Sequence, residues 1–238
     1  MCIRDRLPIL DGSAKEFIEI LKSCGLEKSE VPIKIIKIQK KIAYHHGEKF
    51  ISIEPSKLSL DISFKLKYED CLIGNQENKV NVYEDDLVDI FNSRTFCLFD
   101  DVEKIKQKGL AKGGSLDNAI VVDGFTIKNP KGLRRKDEFV RHKMLDALGD
   151  LALSGLPLLG HYISFCGGHR LNNQLLIKLF SNKSNYENVI AGNDNPHKFV
   201  NKNFIIFNFF ILLGCFFIIN CYCFPYRCPY STWANCIN

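Results

Sequence analysis

The first third of the chain alternates apolar and polar residues, with β-branched runs such as IKIIKI, FISIE and LDISFKLKY between residues 31 and 68. Turn-forming residues separate these runs, which is typical of short strands, and we predict a small antiparallel sheet. Residues 11–25 instead repeat their apolar positions with a helical period, which predicts a helix. Asp11 or Ser13 would cap this helix, and Gly25 would end it. Its predicted apolar face consists of Phe17, Ile18, Ile20 and Leu21.

Between residues 84 and 181, helical segments alternate with short strands. Helices are predicted at 84–92, 101–110, 136–153 and 171–181. Two short strands, AIVVD and HYISF, lie between them, next to paired glycines. The third of these helices is the longest and carries the main candidate site.

One face of the 136–153 helix places His142, Asp146 and Asp150 four residues apart, so the three side chains share a stripe. The residues that would pack lie on roughly the opposite side: Val140, Met144, Ala147, Leu148 and Leu151. A histidine and an aspartate one turn apart can bind one zinc ion, and His169 follows two glycines further along the chain. This set suits metal-assisted hydrolysis. Taken alone, the same spacing is more often a solvated salt-bridging face, and His169 alone is more often structural or simply exposed.

Composition narrows the class of protein. With 238 residues, 46% of them hydrophobic, the chain can form one large or two small domains. Its formal charge of +5 is spread over scattered lysines, and no arginine-rich run carries interleaved aromatics, so nucleic acid is not an expected partner. Five of the ten cysteines lie in the last 24 residues and the others are dispersed, which indicates a reducing, cytoplasmic location for the body of the chain. Cys221, Cys223 and Cys228 resemble a zinc knuckle, but no histidine follows them.

Both ends of the chain differ from its body. Residues 1–6, MCIRDR, lack the apolar run of a signal peptide and resemble translated adapter DNA, so we predict an artefact and a protein that starts upstream. Residues 204–221 are almost entirely apolar, which is long enough for a marginal membrane span. Three explanations stay open for this segment: a genuine C-terminal anchor, read-through into a following gene's signal sequence, and out-of-frame translation. Contact with a membrane is expected only under the first.

Five strings in the chain resemble one enzyme family, in that family's order and with nearly its spacing. They are LPILDGSA (7–14), SRTF (93–96), GGSLDNAIVVD (113–123), GLRRKDEFVRHKMLDALGDL (132–151) and GGHRLNNQLL (167–176). Residues 7 to 180 thus resemble the later part of the bacterial UDP-3-O-acyl-N-acetylglucosamine deacetylase, the zinc enzyme of lipid A synthesis in the LpxC family. The resemblance implies an α+β fold, a two-layer sandwich of a small sheet and helices, of which the family has two similar domains.

The resemblance also implies a domain division. Residues 7–30 would be the last helix of the first domain and the linker, 31–182 the second domain with zinc ligands and an acyl passage, and 183–238 an unrelated apolar, cysteine-rich tail. We expect a monomer. The family's first domain would be mostly absent, and with it a glutamate that acts as general base and a histidine that is the third zinc ligand. His45 and His46 lie in a strand turn, and the resemblance gives them neither role.

By resemblance, His142 and Asp146 are two of three protein ligands of a Zn2+ ion, which leaves the fourth position for water. The metal lowers the pKa of that water towards about 7, and the water attacks the acetamide carbonyl of acylated UDP-N-acetylglucosamine. Acetate leaves and a free amine remains. His169 would protonate the departing nitrogen or stabilise the oxyanion, and Asp150 would orient His169 and favour its charged form. The alternative for Asp150 is a helix-terminal carboxylate without a role.

The resemblance gives a further set of residues to the substrate. Lys143 would contact it and Thr95 would lie near the scissile amide; their alternatives are a surface lysine and a buried capping threonine. Six residues would line an apolar passage for the acyl chain: Val102, Leu110, Ala111, Gly114, Ala119 and Val121. Simple core packing is the alternative for each of the six.

We therefore expect a zinc-dependent amidohydrolase of lipid A biosynthesis whose activity is impaired in this fragment. The alternative is a non-catalytic, membrane-tethered fragment that binds the acyl chain. The two differ in whether an in-frame upstream segment supplies the missing glutamate and histidine.

Overall fold

The computed structural model describes residues 8–25, 32–57, 59–107, 111 and 113–191. These residues form an α+β fold in which helices pack on one main sheet, and the predicted fold class is confirmed. The described strands are β1 (Ile33–Ile38), β2 (Ile42–His46), β3 (Lys49–Glu54), β4 (Leu60–Lys67), β5 (Asn75–Asn81), β6 (Phe96–Leu98), β7 (Ile120–Asp123), β8 (Thr126–Ile127), β9 (Leu158–Phe165) and β10 (Tyr186–Ala191). The described helices are α1 (Lys15–Ser23), α2 (Val88–Phe91), α3 (Phe99–Gln107), α4 (Glu138–Ala152) and α5 (His169–Phe180).

Strand β9 is the centre of the main, seven-stranded sheet. It pairs antiparallel with β3 and parallel with β4 over the same residues, so these neighbours lie on its opposite edges. Its first residues also pair parallel with β1. The sheet is therefore mixed. The prediction of an antiparallel sheet is wrong because this late strand inserts between strands from the first part of the chain.

Strand β5 was not expected from the pattern of the sequence. Its seven residues, NQENKVN, are almost all polar, and Val80 is its only fully buried side chain. Among the described strands, β5 pairs with β4 alone, so it is an edge strand of this part of the sheet. Polar residues are common on exposed edges, where they prevent pairing with other chains, and they hide the period of a strand.

Helices α4 and α5 form the second layer of the sandwich. α4 contacts β4 and β5, α5 contacts β2 and β3, and the two helices contact each other. Twelve of the fifteen residues of α4 are buried, including the whole predicted apolar stripe. Because burial surrounds nearly the entire helix, the polar residues His142 and Asp150 are drawn into the interior as well.

A second, three-stranded sheet lies in the segment between α2 and α4. β6 pairs parallel with β7, β7 pairs antiparallel with β8, and α3 contacts both β6 and β7. Ile120 and Val122 belong to the main hydrophobic core. Val121 lies on the opposite face of β7, because successive side chains of a strand point to opposite sides.

Residues 10–14 pack directly onto the loop that precedes β6. The Thr95 amide donates to the Gly12 carbonyl at 2.8 Å. Gly12 has a φ of +82°, and a Cβ there would lie 1.9 Å from the Asn118 carbonyl oxygen. Glycine is needed for this close approach, since any side chain would meet backbone and strain the left-handed conformation.

Helix α1 begins at Lys15, later than predicted. The Asp11 carboxylate accepts hydrogen bonds from the Ser13 amide and hydroxyl, so these two residues form a turn before the helix. The predicted apolar face is buried only in part: Ile18 is buried, Phe17 and Leu21 are half-buried, and Ile20 is 59% exposed.

The described fold extends beyond the predicted domain boundary at residue 182. Strand β10 pairs antiparallel with all six residues of β1, and the Tyr186 and Phe180 rings meet edge to face with centroids 5.2 Å apart. The described sheet therefore includes residues up to Ala191, beyond the boundary that the sequence analysis places at residue 182. The apolar segment 204–221 lies outside the described residues. Within the described part, no helix is long and apolar enough to cross a membrane.

Replacing Gly12 by alanine should destabilise the fold more than replacing Gly25 by alanine. The two glycines have nearly the same φ, +82° and +81°, but a Cβ at Gly25 meets no atom within 4 Å. Both variants carry the cost of a positive φ, and only Gly12→Ala adds a collision with Asn118, which we expect to cost about 1–3 kcal/mol more. Urea unfolding of both variants measures the difference. Equal unfolding free energies would contradict the packing of residues 10–14.

Candidate active site

Helices α4 and α5 bring together the four residues of the predicted reaction centre. The Nε2 atoms of His142 and His169 lie 3.4 Å and 3.8 Å from the same Asp146 Oδ1 atom. The Nδ1 atom of His169 lies 2.9 Å from the Asp150 carboxylate. Two histidines from different helices therefore face one aspartate, and the second aspartate lies behind His169.

Local backbone geometry places His169 at this point. β9 ends at Phe165 and α5 begins with His169, so the chain changes direction within residues 166–168. A Cβ at Gly167 would lie 2.2 Å from the Ser164 Oγ atom. The glycine therefore permits a turn that is tight enough to put His169 beside α4.

His142 is buried and presents a lone pair towards Asp146. Its Nδ1 atom lies 3.0 Å from the Ser93 carbonyl oxygen, which can only accept, so Nδ1 donates and Nε2 is left unprotonated. Burial holds the pKa of His142 below its ordinary value, although the Asp146 charge acts in the opposite direction. The ring is therefore neutral near neutral pH.

Asp146 is ionised in this environment. Burial alone would raise its pKa, but the Lys143 ammonium, the strongest of the nearby basic groups, holds the pKa of Asp146 below its ordinary value. The Lys143 ammonium donates to Asp146 Oδ2 at 2.8 Å and lies 5.6 Å from the Phe96 ring centroid. The other carboxylate oxygen, Oδ1, faces the two histidines.

An unprotonated imidazole nitrogen beside an ionised carboxylate is a donor pair that suits zinc. The Ser93 carbonyl at the far side of His142 also matches the usual second contact of a metal-binding histidine. Among the described residues, no group of three or more His, Cys, Asp or Glu side chains could hold a metal ion.

A chain of buried hydrogen bonds extends from His169 into the core. Asp150 accepts from His169 at 2.9 Å and from the Asn172 amide at 2.6 Å, while the Tyr162 hydroxyl donates to Asn172 Oδ1 at 2.6 Å. Burial raises the pKa of Tyr162, so its hydroxyl stays protonated. The exposed fraction of the side chains rises from 2% at Asp150 to 17% at His169, and the cluster therefore opens to the surface at His169.

The predicted substrate residues are spread over several elements of the fold. Thr95 is half-buried between Gly12 and β6, and Lys143 lies at the rim of the cluster. Of the six predicted passage residues, Val102 lies in α3, Ala119 just before β7 and Val121 in β7. Ala111 and Gly114 are exposed in the loop between α3 and β7, and Leu110 is outside the described residues. A cavity of about 320 Å³ beside α3 and β7 is lined by other residues, among them Tyr68, Leu98 and Val122.

Four residues around the cluster were missed by sequence reasoning. They are Arg94, Glu138, Tyr162 and Asn172, all buried. Asn172 could have been found, because it occupies a position of the buried stripe of α5 that is otherwise leucine. Glu138 gave a similar signal, since it directly precedes the apolar pair Phe139 and Val140 at the start of a helix.

Comparison with known proteins indicates one enzyme family. The family model described as UDP-3-O-acyl N-acetylglycosamine deacetylase matches residues 3–181. A UDP-3-O-acyl-N-acetylglucosamine deacetylase of Campylobacter fetus is 40% identical over 186 residues, which cover 78% of this chain and 63% of the relative. Proteins of the same name from Sulfurimonas denitrificans and Myxococcus xanthus are 42% and 44% identical, over 77% and 78% of this chain and 62% and 59% of their own. The chain spans about 60% of the length of these relatives.

Replacing Asn172 by alanine should destabilise the fold by about 1–3 kcal/mol, because the buried Asp150 carboxylate and Tyr162 hydroxyl each lose a partner. Asn78→Ala is the matched control: Asn78 also donates from its amide to a carboxylate, that of Asp137, but this bond is only part-buried. The control should change the unfolding free energy by about 0.5 kcal/mol or less. Urea unfolding of both variants measures the two changes. If Asn172→Ala lowers the unfolding free energy no more than the control does, the buried hydrogen-bond network of Asp150, Asn172 and Tyr162 does not stabilise the fold as described.

Proposed function

Because the chain belongs to the UDP-3-O-acyl-N-acetylglucosamine deacetylase family, we propose that it supplies the zinc-ligand and acyl-passage part of a hydrolase of lipid A biosynthesis. The substrate would be an acylated UDP-N-acetylglucosamine, and the reaction would be hydrolysis of its acetamide. The observation that carries the proposal is the meeting of His142, Asp146, His169 and Asp150 at the junction of α4 and α5.

His142 Nε2 and the Asp146 carboxylate would hold the zinc ion. Bound there, zinc supplies a Lewis acid that makes water nucleophilic near neutral pH. The protein's contribution is the state of the two ligands: burial keeps the His142 ring neutral, and the Lys143 ammonium favours an ionised Asp146. Both ligands are therefore ready to bind a cation without losing a proton first.

His169 would deliver the proton to the leaving nitrogen. Its Nδ1 donates to Asp150, which fixes the ring, and its Nε2 points to the same Asp146 oxygen that faces the metal ligand His142. In the reaction the acetamide C–N bond breaks, the oxygen of water joins the carbonyl carbon, and a proton joins the nitrogen. The products are acetate and a free amine. Asp150 acts through His169, as a group that orients it.

The substrate contacts are proposed from position. Lys143 contacts Asp146, and Thr95 lies two residues after Ser93, whose carbonyl accepts from His142; a bound sugar nucleotide would pass here. The acyl chain would lie along α3 and β7, on the face of β7 that carries the buried Val121 and lies opposite to Ile120 and Val122. Cytoplasmic location is proposed from cysteine usage, since Cys24, Cys71, Cys97 and Cys166 are free thiols in the described part.

We also propose that catalysis needs a further zinc ligand and a general base beyond the described residues, and that the enzyme is a monomer. Catalytic zinc sites usually have three protein ligands, and two leave the ion weakly held. A base that takes the proton from water contributes a large factor of its own. The chain alone should therefore turn over slowly.

The test is acetate release from an acylated UDP-N-acetylglucosamine with added zinc. One sample is the purified chain, and the other is a fusion that places the part of the C. fetus relative that this chain does not match ahead of residue 7. We expect little release by the chain alone and rates normal for an enzyme by the fusion. Rapid release by the chain alone would contradict the two-ligand site, and substrate binding without turnover by the fusion would favour an acyl-binding fragment.

Within the fusion, His169→Ala should retain zinc but lose about 10²–10⁴-fold in kcat, the range for a general acid. Asp150→Asn should cost about 10–100-fold. His161→Ala is the matched control, because this half-buried histidine of β9 bonds to Ser63 rather than to the cluster. A wild-type kcat in His169→Ala would contradict the proposed role of His169 as the general acid.

A further inference from the structure

A buried ion pair lies one helical turn before His142. Arg94 and Glu138 are almost fully buried, and the guanidinium meets the carboxylate through two contacts, Nε to Oε1 at 2.9 Å and Nη2 to Oε2 at 3.1 Å. Glu138 also accepts two backbone amides, from Arg94 at 3.1 Å and from Arg134 at 2.7 Å. The carboxylate therefore has four donors, and the pKa of Glu138 lies below its ordinary value although burial acts against this.

One peptide unit connects this pair to His142. The Arg94 amide, which Glu138 accepts, and the Ser93 carbonyl, which His142 contacts at 3.0 Å, belong to the same peptide bond. This bond is planar and trans, so its N–H and C=O point in opposite directions. Glu138 and His142 lie four residues apart on one face of α4 and hold the two ends of a single rigid group.

We propose that Arg94 and Glu138 are positioning residues: they fix the Ser93–Arg94 peptide so that its carbonyl selects the Nδ1–H tautomer of His142. Nε2 is then left unprotonated on the side of Asp146. The Arg94 guanidinium reinforces this arrangement by donating to the Gly132 carbonyl at 2.8 Å, which ties the loop ahead of α4 to the same carboxylate. The inference rests on the proposed function only where zinc is concerned; the tautomer is a property of the chain itself.

The chemistry of the Arg94–Glu138 pair indicates that it positions neighbouring groups rather than stabilises the fold. Burying two charges is costly, and apolar residues of similar volume commonly replace a buried pair without loss of stability. What apolar residues cannot supply is an acceptor for the Arg94 amide and a fixed direction for the Ser93 carbonyl. If the pair served only to hold the loop on the helix, its apolar replacement would leave His142 unchanged.

The main test uses the full chain with the pair replaced by apolar residues, Arg94→Met with Glu138→Leu. Long-range proton–nitrogen correlation NMR of nitrogen-labelled histidine reports the tautomer, and His142→Gln identifies the His142 signals. The wild-type chain, free of metal, should show the Nδ1–H form. The double variant should show a population of the Nε2–H form, and its affinity for zinc should fall about 10–100-fold.

Two further variants keep the test decisive. Glu138→Gln retains the shape of the side chain but not its charge, and it should shift the tautomer in the same direction if the double variant does not fold. Tyr83→Phe removes a buried hydrogen bond to the Leu158 carbonyl and controls for lost stability alone. It should lower the unfolding free energy without changing the His142 tautomer.

A folded double variant, or Glu138→Gln, that keeps the wild-type tautomer and zinc affinity overturns the inference. So does Tyr83→Phe if it shifts the tautomer equally. If the wild-type chain and the fusion bind no zinc but the tautomer still depends on Glu138, the positioning stands and the proposed function fails. The two results are therefore separable.

Discussion

The candidate site depends on the burial of α4. Twelve of its fifteen residues are removed from solvent, and they include a glutamate, a histidine and an aspartate. A polar group in such a place is costly unless it is hydrogen-bonded. In the described part of the chain, no buried side-chain nitrogen or oxygen lacks a partner. The need to satisfy these groups fixes their orientation, and fixed orientation is what a reaction centre requires.

Two polar networks result, one at each end of the helix. The first joins Glu138 to His142 through the Arg94 amide and Ser93 carbonyl, and the second joins Asp150 to His169 and the Asn172 amide. Asp146 lies between them and faces both histidines. Each network has its anchor in the core and an imidazole Nε2 atom near Asp146. The two imidazoles consequently differ in environment: one is neutral and buried, and the other is bonded to a carboxylate and nearer to solvent.

The sequence predicted those parts of the structure that depend on local geometry. The stripe of His142, Asp146 and Asp150 follows from helix periodicity alone, and β1, β3, β4, β7 and β9 follow from β-branched runs. What could not be predicted depends on contacts between distant residues. His142 and Ser93 are 49 positions apart, and the residues around each of them do not indicate that the two will be in contact. The parallel insertion of β9, the polar edge strand β5 and the extension of the sheet by β10 have the same origin, because pairing partners rather than local pattern decide them.

We propose that His142 and Asp146 hold a metal ion where His169 can reach the reacting group. The most direct measurement is an anomalous difference map, recorded at the zinc absorption edge, from crystals of the chain grown with excess zinc. We expect a peak about 2.0–2.2 Å from His142 Nε2 and from an Asp146 carboxylate oxygen. A zinc peak at His45, His161 or a cysteine, with none between His142 and Asp146, would contradict it.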